Sequence, residues 1–218
     1  MPEPAPKPTA APGDAPLVIY GAGGHGGVVA DAARRAGWQV LGFLDDRAAH
    51  ARLDTASADT PLLDPNDPRL VGAVFIPAIG DNAARRAVFD KVDKLGWPVV
   101  NVLHPDASIS PTAELGRGIF VGPGACVTAY ARLGDGCLVN TNAVVEHHCE
   151  LGGFVHVAPG CVLGGQVRVG SGSLLGLGCR VLPAIRLGEN VTIGAGAVVT
   201  KAAADTTTLV GVPAAPRN

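Results

Sequence analysis

The chain has 218 residues, a formal net charge of −2 at pH 7 and only 17% charged residues. No basic block appears, which argues against a nucleic-acid or anionic-membrane partner, and no run of about 18 apolar residues exists to span a bilayer. Glycine is unusually frequent, 30 residues, and aromatics make up 4%, a combination that points to many tight turns around a core of Val, Leu, Ile and Ala.

The first sixteen residues, MPEPAPKPTAAPGDAP, hold six prolines and no apolar centre. They read as a disordered tail (1–16) and not as a signal peptide. With no export signal, the cytoplasm is the expected location. Five cysteines, an odd number, do not read as a disulfide framework.

Residues 17–103 read as an α/β domain. Leu17–Tyr20 is a short apolar run, expected as a buried parallel strand. Gly21, Gly23 and Gly26 match G-x-G-x-x-G, with Gly24 and His25 inside the same turn. A helical pattern follows to about Ala36, closed by Gly37. Val40–Leu44 is a second strand ending in Asp45-Asp46. A glycine turn at a helix start suits phosphate, because the backbone can approach closely and the unpaired N–H groups and helix dipole favour anions. Acids about 20 residues on could meet a ribose hydroxyl or a base N–H. A dinucleotide oxidoreductase is excluded by size, since about 85 residues are too few for two mononucleotide halves. Val71–Pro77 is expected as a third strand, Gly80-Asp81-Asn82 as its C-terminal loop, Ala83–Leu95 as a second helix and Val99–Val102 as a fourth strand. Ligands on open α/β sheets bind at the C-terminal ends of the strands. That rule gathers the Gly21–Gly26 turn, Asp45, Asp46 and Gly80–Asn82. Arg34, Arg35, Arg85 and Arg86 read as solvated helix faces.

Residues 104–218 carry a strict period of six. Sixteen positions from Ile109 to Val199, six apart, all hold branched aliphatics, and nine are followed directly by glycine. Such a hexapeptide repeat marks a parallel β-helix, in which three hexads close one triangular coil of about 18 residues. The residue four past each aliphatic should also point inward. That second column, positions 113 to 197, holds only small or aliphatic residues, among them Cys137, Cys149, Cys161 and Cys179. These four cysteines are therefore expected as core fillers, with Cys161 and Cys179 stacked one coil apart.

The stretch AVVEHHCELGGFVHVAPG (143–160) concentrates three of the six histidines. His147 lies two residues past the inward Val145, near a corner, and is expected to project outward. His148 should point differently. His156 is half a coil away, so a single metal ion would need ligands from two subunits, and no metal is expected. Gly165 follows His147 by one coil and should lie directly above it. A side-chain-free neighbour leaves room for a ligand, and its N–H could donate to a developing oxyanion.

Taken together, GAGGHG at 21–26, FLDD at 43–46, IGDN at 79–82, the 140–160 stretch, GAGAVVTK at 194–201 and GVPA at 211–214 resemble one family. It is the bacterial nucleotide-sugar acetyltransferases of the sialic-acid O-acetyltransferase and bacillosamine or perosamine N-acetyltransferase type. The resemblance covers about Leu17 to Pro213. It implies a Rossmann-like α/β domain followed by an all-β left-handed parallel β-helix, assembled as a homotrimer. It implies acetyl-CoA as co-substrate and a nucleotide-diphosphate amino sugar as acceptor. His147 is then the general base, Gly165 polarises the thioester and Asn140 lies near the acceptor amine. His156, Gly165, Leu177, Ala195 and Lys201 would serve acetyl-CoA. Gly21, Gly23, Gly24, His25, Gly26, Asp45, Asp46, Gly80, Asp81 and Asn82 would hold the nucleotide sugar. One departure stands out: the family usually carries Asp or Glu directly after the base, and here His148 stands there. O-acetylation of a sialic-acid-like sugar, or nucleotide-sugar binding without catalysis, remain alternatives. A metallo-hydratase on the same solenoid would need a bound metal.

Overall fold

The computed structural model describes residues 14–47 and 60–217. The expected tail falls almost wholly outside the described residues. The α/β part begins with strand β1 (Leu17–Tyr20), helix α1 (Gly24–Arg35) and strand β2 (Val40–Leu44). It continues with β3 (Val74–Pro77) and helix α2 (Asn82–Lys94). The three strands pair in parallel in the order β2-β1-β3. Single bridges at Leu62 beside Phe43, and at Val99 beside Phe75, extend the sheet on both edges. β1 is fully buried on both faces, which is why it reads as a continuous apolar run.

Two expected elements are corrected. The third strand starts at Val74, not Val71, because Pro68–Leu70 forms a 3₁₀ turn and Gly72 takes a left-handed φ of +79°. The expected fourth strand, 99–102, is divided. Val99 bridges to the α/β sheet, whereas Val102–Leu103 pair with Phe120–Val121 in the solenoid. The chain passes from one hydrogen-bonding system to the other within three residues.

From Val102 to Val199, two-residue strands stack in parallel into three sheets, and Ala215–Pro216 adds an antiparallel edge to one of them. Each strand pairs with the one 18 residues on, as Val144–Val145 do with Val162–Leu163. From Leu115 to Val199 every aliphatic at the six-residue spacing is at most 8% exposed. All fifteen residues of the second column are buried too, Cys137, Cys149, Cys161 and Cys179 at 0% exposure. The Cys161 and Cys179 sulfurs sit 3.0 Å apart as free thiols. Ser173, the polar member of the column, donates to the Gly188 carbonyl at 3.1 Å and accepts from the Val191 N–H at 3.0 Å, so its hydroxyl is satisfied. The register also aligns charges on one outer face. Arg132 meets Glu114 and Arg168 meets Glu150, both at 3.2 Å. The last coil is shorter, with Leu187 bridging to Ala203 and Ile193 pairing with Leu209.

The α/β part packs on one solenoid sheet. α1 and β1 share a core with the outward-facing Val102, Phe120 and Leu138. On the other side, Phe89 of α2 meets Phe154 edge to face at 5.4 Å. Between these contacts lies Arg85, expected on a solvated face and found at 0% exposure. Its Nε donates to the Gly136 carbonyl, Nη1 to the Ile79 and Gly80 carbonyls, and Nη2 to Phe154 O and Asn82 Oδ1, at 2.8–3.2 Å. The correction has a simple cause. α2 buries a face that includes Arg85, Val88, Phe89 and Val92, and its neighbour is a stack of coil corners rich in carbonyl oxygens. Arg85→Met is expected to lower the free energy of unfolding by about 3–5 kcal/mol, because it removes five hydrogen bonds and strands the buried carbonyls of Gly136 and Phe154. Arg85→Lys, with three donors, recovers only part. Denaturant titration of the three proteins checks this.

Candidate functional site

The chemistry-bearing residues collect in three places. The first is the mouth of the α/β sheet. The chain leaves β1 toward β2 on one side and later returns to β3 on the other, so the crevice at the C-terminal ends of β1 and β3 is where a ligand fits. Gly23 caps α1 without any side-chain hydrogen bond. Gly23 and Gly24 are exposed, with open space where a Cβ would stand. Gly26 is different: a Cβ there would collide with the Gly21 carbonyl, so it serves close packing of turn on helix. Asp45 braces this turn, accepting from the Ala22 N–H at 2.9 Å and the Arg47 N–H at 2.8 Å. Asp46 accepts from the Tyr20 hydroxyl and pairs with Lys91, both at 2.6 Å. Lys91 and Tyr20 hold its carboxyl below the ordinary value, against the opposing effect of burial.

Gly80–Asn82 lie beside the same mouth, at the start of α2. The Asp81 carboxylate caps the helix by accepting from the Ala84 N–H at 2.8 Å. Asn82 Nδ2 donates to the Gly172 carbonyl at 2.8 Å and the Ser173 carbonyl at 3.1 Å, and its Oδ1 accepts from Arg85. Both ends of this side chain therefore tie α2 to the solenoid. A cavity of about 410 Å³ opens here, between Asp81, Asn82 and Arg86 on one side and Leu174, Asn190 and Thr192 on the other.

The second place is the His156 cluster, on the solenoid sheet that faces the α/β part. His156 Nδ1 is 3.2 Å from the Gly80 carbonyl, and Nε2 is 3.4 Å from Asn140 Nδ2. Asn140 Oδ1 accepts from the Thr141 N–H at 2.8 Å, which orients the amide. Its NH₂ thus points at His156, and the neutral imidazole carries its proton on Nδ1. Burial, together with the nearby Arg85 charge, lowers the His156 pKa to about 4. His25 belongs to the same cluster. Its ring meets Phe120 edge to face at 5.4 Å, and its Nε2 is buried without a hydrogen-bond partner. Burial first, then His156 and Arg85, lower its pKa to about 4 as well. Leu177 and Ala195 are exposed on the next corner, one coil apart.

The third place is the corner after Val145. The His147 ring is exposed and lies against Gly165, where a Cβ would come within 2.6 Å of Cε1 and Nε2. Gly165 O accepts from the Ala184 N–H, while its own N–H donates to no partner among the described residues. His148, expected to point differently from His147, sets its ring at 86° to it and brings the two Nδ1 atoms within 3.2 Å. The reason is the left-handed backbone at His148, φ +57°, which turns the ring back at the coil corner. Glu146 accepts from the His147 backbone N–H at 3.1 Å and from Thr128 Oγ1 at 3.3 Å. Lys201 is exposed at the same corner, two residues past Val199 as His147 is past Val145. No contact joins this corner to the His156 cluster among the described residues. Nor is there among them any group of three or more His, Cys, Asp or Glu side chains placed to hold a metal ion.

Sequence reasoning missed Arg85 and the His148 contact. Arg85 left no signal in its own spacing. Nor did the left-handed corner, since the four residues that share its φ of 57–63°, Tyr130, His148, Gln166 and Ala184, have no residue type in common.

A solenoid of hexapeptide coils with a histidine over a glycine at its corner, joined to a glycine turn on a parallel sheet, defines a two-part acyltransferase architecture. Residues 16–92 match the PglD N-terminal domain family. The fold superposes on a histidine variant of perosamine N-acetyltransferase from Caulobacter crescentus, solved with CoA and GDP-perosamine, with TM-score 0.86 and 35% identity over 94% of this chain and 98% of that one. It superposes equally on the acetyltransferase domain of PglB from Neisseria gonorrhoeae in complex with acetyl coenzyme A, with TM-score 0.87 and 37% identity over 94% and 100% of the two chains. WeeI from Acinetobacter baumannii matches with TM-score 0.80 and 25% identity over 93% and 99%. The chain belongs to the bacterial nucleotide-sugar N-acetyltransferase family.

The two buried histidines give a test of this geometry. Followed by NMR from pH 8 downward, His25 and His156 are expected to stay neutral until about pH 4. Between 6.5, their ordinary value, and about 4 the unfolded chain takes up protons that the folded chain does not, so stability falls as pH falls through that window. His25→Phe is expected to reduce that slope in denaturant titrations.

Proposed function

We propose that this protein transfers the acetyl group of acetyl-CoA to the amino group of a nucleotide-linked 4-amino-4,6-dideoxy sugar. The observation that carries the reading is the His147–Gly165 pair, an exposed imidazole whose Nε2 edge faces a glycine with an uncommitted N–H. The relatives support it by what they bind: CoA with GDP-perosamine in one, acetyl coenzyme A in another.

The chemistry is direct transfer. His147 Nε2 takes a proton from the sugar amine as the nitrogen attacks the thioester carbonyl. The Gly165 N–H donates to the oxyanion that develops. The tetrahedral species collapses, the C–S bond breaks, and the thiolate of CoA takes the proton back from the imidazolium. Asn140 and His156 stand on the acceptor and thioester side as a neutral, hydrogen-bonded pair. Leu177, Ala195 and Lys201 offer an exposed apolar surface and a cation to the co-substrate. The nucleotide sugar lies in the α/β crevice, its phosphates on the Gly23-Gly24 N–H groups, in a Rossmann-like mode, with Asp45 and Asp46 toward the nucleoside.

His147 and His156 lie at different places around the coil, so one chain does not assemble both into one contact. The sheet between the Leu177–Ala195 and His147 corners presents half-buried Cys126, Val144, Val162 and Val198 outward. We read this as the surface on which copies pack, as a homotrimer of left-handed solenoids, with each active site shared between neighbours. Free buried thiols suit the cytoplasm.

Mass spectrometry after incubation with acetyl-CoA and UDP-, GDP- and dTDP-linked 4-amino sugars should show a gain of one acetyl group, abolished in His147→Ala. Absence of transfer to every acceptor overturns the reading. Gly165→Ala should lower kcat by about 100-fold, because the added methyl displaces the ring from its working position. Sedimentation equilibrium should return three chains per particle.

A further inference from the structure

We infer that His148 is the positioning residue of His147: through the Nδ1–Nδ1 hydrogen bond it holds the base in its working tautomer. The assignment rests on the acetyltransferase reading for its effect on rate, but its structural core stands on the corner itself.

The two imidazoles meet with ring planes at 86° and Nδ1 atoms 3.2 Å apart. Such a contact is a hydrogen bond only if one Nδ1 carries a proton and the other does not. The Nε2 edge of His147 faces Gly165, and Nε2 must be bare to act as a base. His147 therefore carries its proton on Nδ1 and donates it to His148, whose own proton sits on Nε2. Among the described residues no carboxylate hydrogen-bonds the His147 ring. The Oε2 of Glu146 is engaged by the His147 backbone N–H and by Thr128 Oγ1. The His148 ring is held in turn by Tyr130, one coil earlier, with ring centroids 5.0 Å apart. The backbone suits an imidazole or a short carboxylate here, because His148 is left-handed, at φ +57°, a conformation in which His, Asn and Asp are enriched among non-glycine residues.

The pair has a consequence that a carboxylate lacks. When the amine N–H bond breaks and His147 Nε2–H forms, the His147 Nδ1–H bond can break and a His148 Nδ1–H bond form. The positive charge then rests on His148, away from the reacting nitrogen. Both protons retrace their paths as the CoA thiolate is protonated, so the pair returns to its starting state without any further reactant.

The test uses His148→Gly, which suits the left-handed backbone and removes the ring, and His148→Asp, which suits it and supplies a carboxylate. In ¹⁵N-labelled wild-type protein, the His147 ring is expected to show a protonated Nδ1 and a bare Nε2. His148→Gly should move the proton to Nε2 and lower kcat by about 10–100-fold, with KM for the amino sugar nearly unchanged. His148→Asp should restore the Nδ1–H tautomer and most of kcat. A wild-type His147 protonated on Nε2 overturns the inference. So does a His148→Gly protein with unaltered tautomer and kcat, or one whose loss lies in KM alone. If the wild-type protein transfers no acetyl at all, the proposed function fails, and the tautomer measurement still decides the role of His148.

Discussion

One guanidinium joins the two halves of this molecule. Arg85 has five N–H donors, and all five are used, four on backbone carbonyls and one on the Asn82 amide oxygen. Among the described residues no carboxylate touches it. Burial alone would favour loss of its proton, and it does lower the pKa, to about 10. That still leaves the group charged at neutral pH, where a fully hydrogen-bonded cation can be buried without an ion partner. The bonds run to Ile79 and Gly80 on one side and to Gly136 and Phe154 on the other. Arg85 thus sets the distance between the α/β crevice and the solenoid. The same carbonyl of Gly80 receives His156 Nδ1, so the loop that Arg85 holds also orients a residue of the candidate site.

The solenoid supplies the second constraint, its unbroken register. Since each strand pairs with the one 18 residues on, a residue's neighbours above and below are known once its place in the hexad is known. This is what seats His147 on Gly165 and stacks Cys161 on Cys179. A stack of short parallel strands has little freedom to slip, because a shift of one residue would turn the inward aliphatics out. Functional side chains at the corners therefore stand on a rigid frame, while the corner backbone keeps some variety. The left-handed column through Tyr130, His148, Gln166 and Ala184 shows how that variety aims a ring sideways without disturbing the strands.

Charge and burial divide the four histidines of the candidate site into two chemical types. His25 and His156 sit between the two halves of the molecule, close to Arg85, and resist protonation. His147 and His148 stand in the open at a corner, beside each other, Tyr130, Glu146 and Gly165. A buried, hydrogen-bonding histidine and an exposed imidazole are different tools, and the fold separates them by placing one against a buried cation and the other in water.

By itself the sequence determined the solenoid, its register, its inward columns and the stacking of His147 on Gly165, since all of these follow from counting in sixes and eighteens. It also determined β1, β2 and the glycine turn, where apolar runs and punctuating glycines leave little choice. Only the tertiary structure decided the roles of Arg85, His148 and the chain near Val99. Arg85 sits on an ordinary charged helix segment, and its burial depends on what faces the helix. The direction of His148 depends on one backbone torsion, which overrides simple strand alternation at a corner. Val99, Val100 and Val102 are apolar whichever sheet they join. In each case the local sequence is compatible with more than one environment, and the choice is made by contacts between residues far apart in the chain.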